Sequence, residues 1–201
     1  MEALELARYG GDLSSVPLDC VHPHTLRTPL HEAVSYGHPV DVILRRAPDL
    51  LEARDVNGRT ALHCAAREKR DVAALLRHGA DASATDSQGQ TPLHVAVAVR
   101  NVEAMRALLE KKTDAVRHQD VYGQTPLMCA VEQRSNTILQ LLLEAGGCEL
   151  ELEDKEGRTA LALAAAGGST VLVDVLVRRG ALTDIADIRR HTPLHHAAQA
   201  G

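Results

Sequence analysis

The chain has 201 residues, a formal net charge of −5, no Phe or Trp, and only Tyr9, Tyr36 and Tyr122 as aromatic residues. Acidic and basic residues are mixed along its length, which argues against nucleic acid as a partner, because phosphate recognition needs a basic face. Its longest uncharged, apolar-leaning run, residues 159–173, contains two glycines and falls short of the roughly 20 residues that cross a bilayer, so no membrane insertion is expected.

The N-terminal segment opens without the basic and apolar pattern of a signal peptide, which predicts an intracellular protein, cytoplasmic or nuclear, with reduced thiols. Leu4, Ala7 and Gly11 match Leu30, Ala33 and Gly37 at an offset of 26. Residues 1–22 are therefore expected to form a shortened, degenerate unit that caps the N-terminal end of a repeat array. From residue 23 the chain is periodic. Thr28-Pro29-Leu30-His31-Glu32-Ala33 returns as Thr60-Ala61-Leu62-His63-Cys64-Ala65, Thr91-Pro92-Leu93-His94-Val95-Ala96 and Thr125-Pro126-Leu127-Met128-Cys129-Ala130. Two further copies are Thr159-Ala160-Leu161-Ala162-Leu163-Ala164 and Thr192-Pro193-Leu194-His195-His196-Ala197, so the steps between threonines are 32, 31, 34, 34 and 33 residues.

Each copy reads as a helix start. Pro suits the first turn, where its missing N–H is not needed, and the preceding Thr can cap. A second apolar block comes after it in each unit: 40–44, 72–76, 102–109, 138–143 and 171–177. Asp55, Asp86, Asp120 and Asp154 stand five residues before a motif Thr, and Gly58, Gly89, Gly123 and Gly157 two before it. Asp bonding its own backbone and Gly supplying a positive φ make a turn. His22 to Arg27 replaces that turn ahead of the first copy and should be irregular. The blocks after His38-Pro39 and after Lys69-Arg70-Asp71 start late, so their helices should be shorter. Lys112-Thr113 stands where Gly79, Gly146 and Gly180 end the corresponding block. The alternating segment Glu149-Leu150-Glu151-Leu152-Glu153 reads as an extended, solvated acidic projection. The last unit stops at Gly201 without a second block, which suggests a piece of a longer array.

The phased Thr-Pro-Leu-His-x-Ala motif resembles the ankyrin repeat, whose period is about 33 residues. The resemblance implies an all-α solenoid of helix-turn-helix units joined by β-turn or hairpin fingers, with residues 23–201 forming about five full units and a truncated sixth. It implies a non-catalytic module that recognises a protein partner on the concave face made by fingers and inner helices. Carried over by position, Tyr36, Arg67, Glu68, Ala98, Val99, Val121, Tyr122, Glu132, Gln133 and Arg158 are the candidate partner-binding residues. Of these, Ala98, Val99, Val121 and Tyr122 with Arg67 and Glu132 have the apolar, aromatic and Arg composition of a binding hot spot. The second functional reading is a segment that positions or regulates a catalytic, channel or ubiquitin-ligase part of a longer chain. A monomer is expected, with association through the exposed C-terminal end as the alternative.

The resemblance also makes His31, His63, His94 and His195 structural hydrogen-bonding residues. Stacked helices lie roughly 8–10 Å apart, whereas zinc bonds are about 2.0–2.1 Å long. Successive motif histidines therefore cannot share an ion, and no metal is expected; His195-His196 and His22 with His24 are the loose exceptions. Gly146-Gly147 and Gly167-Gly168 lack the Lys-Ser/Thr of a phosphate loop, and Ser14-Ser15 has no base beside it. No cofactor and no catalysis are expected. Cys64 and Cys129 share one repeat position and read as small core thiols.

Overall fold

The structure, a computed structural model, describes residues 2–111 and 114–201; the expectation at Lys112-Thr113 lies outside them. Among the described residues it is helical, with no strand, as the repeat predicts, and no helix is long and apolar enough to cross a membrane. The helices are α1 (Glu2–Tyr9), α2 (Pro29–Tyr36), α3 (Asp41–Arg46), α4 (Ala61–Glu68), α5 (Val72–Arg77), α6 (Pro92–Ala98), α7 (Val102–Leu109), α8 (Pro126–Glu132), α9 (Asn136–Ala145), α10 (Ala160–Ala166), α11 (Thr170–Arg178) and α12 (Pro193–Ala200). They fall into two compact units, Met1–Thr113 and Asp114–Gly201.

The motif works as its chemistry suggests. Thr28, Thr60, Thr91, Thr125, Thr159 and Thr192 are each the N-cap of an inner helix, in extended backbone. The motif leucines Leu30, Leu62, Leu93, Leu127 and Leu161 are 0–2% exposed, and Ala33, Ala65, Ala96, Ala130 and Ala164 are buried beside them. Burying each such Leu contributes roughly 1.5–3 kcal/mol, and the small Ala lets neighbouring inner helices come close. In the first unit α1, α2, α4 and α6 pack in sequence, with α5 against α7 outside them; in the second, α8 packs on α10, α10 on α12 and α9 on α11. Asp71, Asn101 and Ser135 cap outer helices by accepting from the N–H three residues on. The late starts after His38-Pro39 and after Lys69-Arg70-Asp71 do shorten the helices, to six residues each in α3 and α5 against eight in α7 and ten in α9.

Two expectations are corrected. The N-terminal offset is 27, not 26: α1 ends at Tyr9, and Gly10 rather than Gly11 takes the left-handed place of Gly37, with φ 73° against 78°. The closing bonds agree, Gly11 N–H to the Leu6 carbonyl and His38 N–H to the Ala33 carbonyl, both 2.8 Å. Two adjacent glycines made the register ambiguous. The acidic segment is not an extended projection either. It turns at Leu150–Glu151, and two of its carboxylates are engaged within the unit. Glu149 meets Arg117 at 3.2 Å, and Glu151 accepts the Leu182 N–H at 2.9 Å, just as Glu52 accepts the Asp81 N–H at 2.9 Å. An acidic residue here caps the entry of the following loop, and the leucines between turn partly inward.

The fingers are built on aspartate. Asp55, Asp86, Asp120, Asp154 and Asp187 each accept two backbone N–H groups, two and four residues ahead, on one carboxylate oxygen at 2.8–3.0 Å. Gly58, Gly89, Gly123 and Gly157 hold φ between 70° and 78°, each donating to the carbonyl of its Asp. Arg190 keeps this backbone, with φ 65° and its N–H 2.8 Å from the Asp187 carbonyl. A side chain in that region costs about 1 kcal/mol relative to Gly. Arg190→Gly is therefore expected to raise the denaturation free energy by about 1 kcal/mol; an unchanged or lower urea midpoint would show that the arginine is compensated.

The last inner helix differs from the others in burial. Leu194 is 77% exposed where its five counterparts are covered, and Ala197 is exposed as well. Segments with few apolar contacts open at low free energy. Amide exchange should show α12 exchanging well before α8 and α10; equal protection would contradict this.

Candidate functional site

The motif histidines settle into one geometry. In His31, His63, His94 and His195 the ring Nδ1 lies 2.8–3.0 Å from the motif Thr hydroxyl and 3.2–3.3 Å from the Thr N–H. The Nε2 of His31 is 2.9 Å from the Arg59 carbonyl and that of His63 is 2.9 Å from the Gln90 carbonyl, each just ahead of the next motif Thr. A carbonyl only accepts, so Nε2 carries the proton and Nδ1 accepts from the threonine. Burial pushes both rings below the ordinary histidine pKa, with the carbonyl bond opposing it. These are neutral staples between units, the structural role expected of them. Met128 and Ala162 lack the ring, and their helices keep the Thr cap alone, through the Met128 and Ala162 N–H groups at 3.3 Å.

The cysteines are core thiols in the main. Cys64 is buried, and burial raises its pKa to about 11 and that of the half-buried Cys129 to about 12, so neither supplies a thiolate near neutrality.

The candidate partner-binding residues divide between the two compact units. In the first, Arg67, Ala98 and Val99 line one groove of about 460 Å³ together with Asn57, Arg59, Asp86, Ser87, Gln88, Gln90 and Val95. Its walls are two finger tips, and its floor is the exposed end of α6. Arg59 is held in place by its own finger, its Nε and Nη2 3.0 and 2.8 Å from the second oxygen of Asp55. Tyr36 and Glu68 stand elsewhere in this unit. Tyr36, 49% exposed, has the Arg8 guanidinium 5.5 Å from its ring centre, and Glu68 accepts from the Ser35 hydroxyl at 3.3 Å.

In the second unit Val121 and Tyr122 form the exposed tip of a finger, with Tyr122 62% exposed. Glu132 accepts from Gln124 Nε2 at 2.7 Å, and Gln133 caps the end of α8. Arg158 is less available than its position suggested. Its guanidinium braces Asp154 and Glu156, each at 2.7 Å, as Arg59 braces Asp55.

Two polar sets were not foreseen. Glu32, 2% exposed, lies between Arg8 at 3.2 Å and Arg27 at 3.3 Å, where the middle units carry Cys64, Val95, Cys129 and Leu163. At the other end Asp187, His191 and His196 place one ligand-capable atom each within 4.8 Å of one another. The signal for both was the polar residue in an apolar repeat position. The two loose histidine pairs of the sequence resolve differently: His196 turns to Asp187 instead of acting with His195, and His22 spends its Nδ1 on the Thr25 N–H at 3.3 Å.

A family model described as "Ankyrin repeats (3 copies)" matches residues 6–86, 72–154 and 135–201. The neurogenic locus Notch protein of Drosophila melanogaster is 39% identical over 80 residues, 39% of this chain and 3% of that protein. Diacylglycerol kinase zeta of Rattus norvegicus is 38% identical over 113 residues, 54% of this chain and 11% of that one. The chain thus spans a small part of the relatives it matches. Among solved structures, the ankyrin repeat domain of Bcl-3, described as a unique member of the IkappaB protein family, superposes with a TM-score of 0.82 and 33% identity, covering 98% of this chain and 86% of that one.

The staples generate a pH dependence. A buried histidine whose folded pKa lies below its unfolded value stays neutral while the unfolded chain takes up a proton. Its stabilisation is therefore complete above about pH 6.5 and declines as pH falls below that value towards the folded pKa. The thermal midpoint should fall between about pH 7.5 and 5.5, and exchanging His31 and His63 for Met, the residue found at 128, should flatten that slope. An unaltered slope would assign the effect to other groups.

Proposed function

The chain belongs to the ankyrin repeat family, and from that premise we propose that it is a non-catalytic module that recognises another protein on the face built by its fingers and inner helices. The groove in the first compact unit is the observation that carries the reading. It joins an apolar floor, Val95, Ala98 and Val99, to polar walls from Asn57, Ser87 and Gln88, with the Arg67 guanidinium at its margin. Small apolar residues leave room for a partner's side chains, and the finger amides and hydroxyls offer hydrogen bonds to an extended segment. The exposed Val121–Tyr122 tip is proposed as a separate anchor in the second unit, since aromatic residues are favoured where a few contacts dominate affinity. Protonated core thiols suit the reducing interior of the cell, and we extend the proposal to a cytoplasmic or nuclear setting.

A second reading rests on length. The matched stretches of 80 and 113 residues make up 3% of Drosophila Notch and 11% of rat diacylglycerol kinase zeta. The matched stretch is a minor part of each of these much longer chains. The same binding face would then position or regulate the rest of such a chain.

Proximity labelling in cells tests the proposal. Arg67→Glu with Val99→Glu should change the set of labelled proteins, whereas Arg45→Glu, on the exposed side of α3, should not. Identical sets in all three would overturn the groove as the binding face. For a partner so identified, Tyr122→Ala should weaken binding by at least ~2 kcal/mol, roughly thirty-fold, with the thermal midpoint unchanged. Loss of stability with intact affinity would make Tyr122 structural instead.

A further inference from the structure

The last finger solves the shared carboxylate problem with different residues. In each finger one oxygen of the Asp is taken up by two backbone N–H groups, which fixes where the second oxygen points. Arg59 and Arg158 cover that second oxygen in their fingers. At Asp187 the position four residues on is His191, and the second oxygen instead meets His196 Nε2 of α12 at 2.9 Å. The His191 ring lies beside both neighbours, 5.6 Å from the His196 ring and 5.9 Å from the His195 ring, centre to centre. Asp187 is buried, and the two histidines are half-buried, so the cluster has a fixed base and one open side.

We propose that Asp187, His191 and His196 bind a divalent transition-metal cation, with Zn²⁺ the best match, and leave its fourth position to water or to a group from outside. Three donors, two imidazoles and one carboxylate, form the borderline N/O set that suits zinc, whereas calcium and magnesium prefer oxygen alone. Three protein ligands with an open fourth position are a common zinc arrangement. Bonds of about 2.0–2.1 Å to a tetrahedral ion set its ligands about 3.3 Å apart. The Asp187–His196 pair already stands near that separation, and all three donor atoms lie within 4.8 Å. Rotation of His191 about its side-chain bonds closes the remainder. The backbone N–H groups of Arg189 and His191 hold the other Asp187 oxygen at 2.9 and 2.8 Å, the kind of outer contact that orients a ligating carboxylate.

The fold itself does not require either imidazole. Gln90 and Gln124 occupy the place of His191 in other fingers, and Val95 and Leu163 the place of His196 in other inner helices. Bound metal would join the finger to α12, the helix with the least apolar cover, and so tie the two together.

Titration of the purified protein with Zn²⁺ in chelator-free buffer, followed by calorimetry, is expected to show one saturable site. His191→Gln and His196→Leu, chosen because other units carry those residues, should each weaken it at least ~10-fold, the smallest loss that disturbing even an outer contact brings. Co²⁺ should give the intense visible absorption of a low-coordinate ion in the natural chain and lose it in both variants. Zn²⁺ should also slow amide exchange across residues 187–200. Absence of saturable binding, or binding of equal strength in both variants, would overturn the site, as would the weak spectrum of a fully hydrated octahedral Co²⁺.

Discussion

The architecture depends on how closely the backbone of one finger approaches that of the next. Within the first unit the Val56 N–H donates to the Thr25 carbonyl at 2.8 Å and the Ser87 N–H to the Asn57 carbonyl at 2.9 Å. Within the second, the Lys155 N–H donates to the Tyr122 carbonyl at 3.0 Å and the Ile188 N–H to the Glu156 carbonyl at 3.1 Å. A β-carbon at Gly58, Gly123 or Gly157 would come within 2.9 Å of the donor nitrogen of the following finger. Glycine is therefore demanded twice at these positions, by the positive φ and by the neighbour. Once the amide contact is made, the motif Thr lies at a fixed distance along the chain. The helix starts there, and the His Nε2 reaches the carbonyl ahead of the next Thr. A single short contact thus propagates into helix placement.

This arrangement determines which side chains are left for recognition. The finger Asp is consumed by its own backbone, and residues flanking it brace the loop: Arg54 donates to the Gly58 carbonyl at 3.0 Å and to that of Thr85, while Gln119 reaches the Gly123 and Glu153 carbonyls at 2.8 and 2.7 Å. The two residues after each Asp form the tip of the finger. Those are the places where the units differ most: Val56-Asn57, Ser87-Gln88, Val121-Tyr122, Lys155-Glu156 and Ile188-Arg189. An invariant frame and a variable rim arise from the same hydrogen bonds.

The frame was legible in the sequence because each of its parts has its own residue type. Thr and Pro mark a helix start, Asp and Gly a turn, and the phase of six copies fixes the register. The irregular first finger was legible only as an irregularity. Its solution, with His22 standing for Asp and Leu26 at φ 55° standing for Gly, depends on one additional residue between them. The offset of α1 was hidden by Gly10-Gly11, since either glycine satisfies the pattern. Charge placement was the least legible. Glu151 and Arg158 read as solvent-facing, because their partners, the Leu182 N–H and Asp154, belong to turns whose geometry appears only once the chain is folded. The groove was legible in part: Arg67, Ala98 and Val99 were picked by repeat position, whereas their closing with two finger tips into one cavity appears only once the chain is folded.

The steps between motif threonines range from 31 to 34 residues, yet each finger from Asp55 onward keeps five residues from its Asp to the motif Thr. Length variation is absorbed beyond the inner helices, where α3 and α5 are six residues long and α9 is ten. A coding change that adds or removes one to three residues therefore has different outcomes by location. Between the helices it lengthens or trims an outer helix and the array closes around it. Inside a finger it would displace the amide that the neighbouring unit is keyed to. Duplication of a whole repeat respects every such contact, so a gene of this kind can lengthen its product unit by unit without redesigning any one of them.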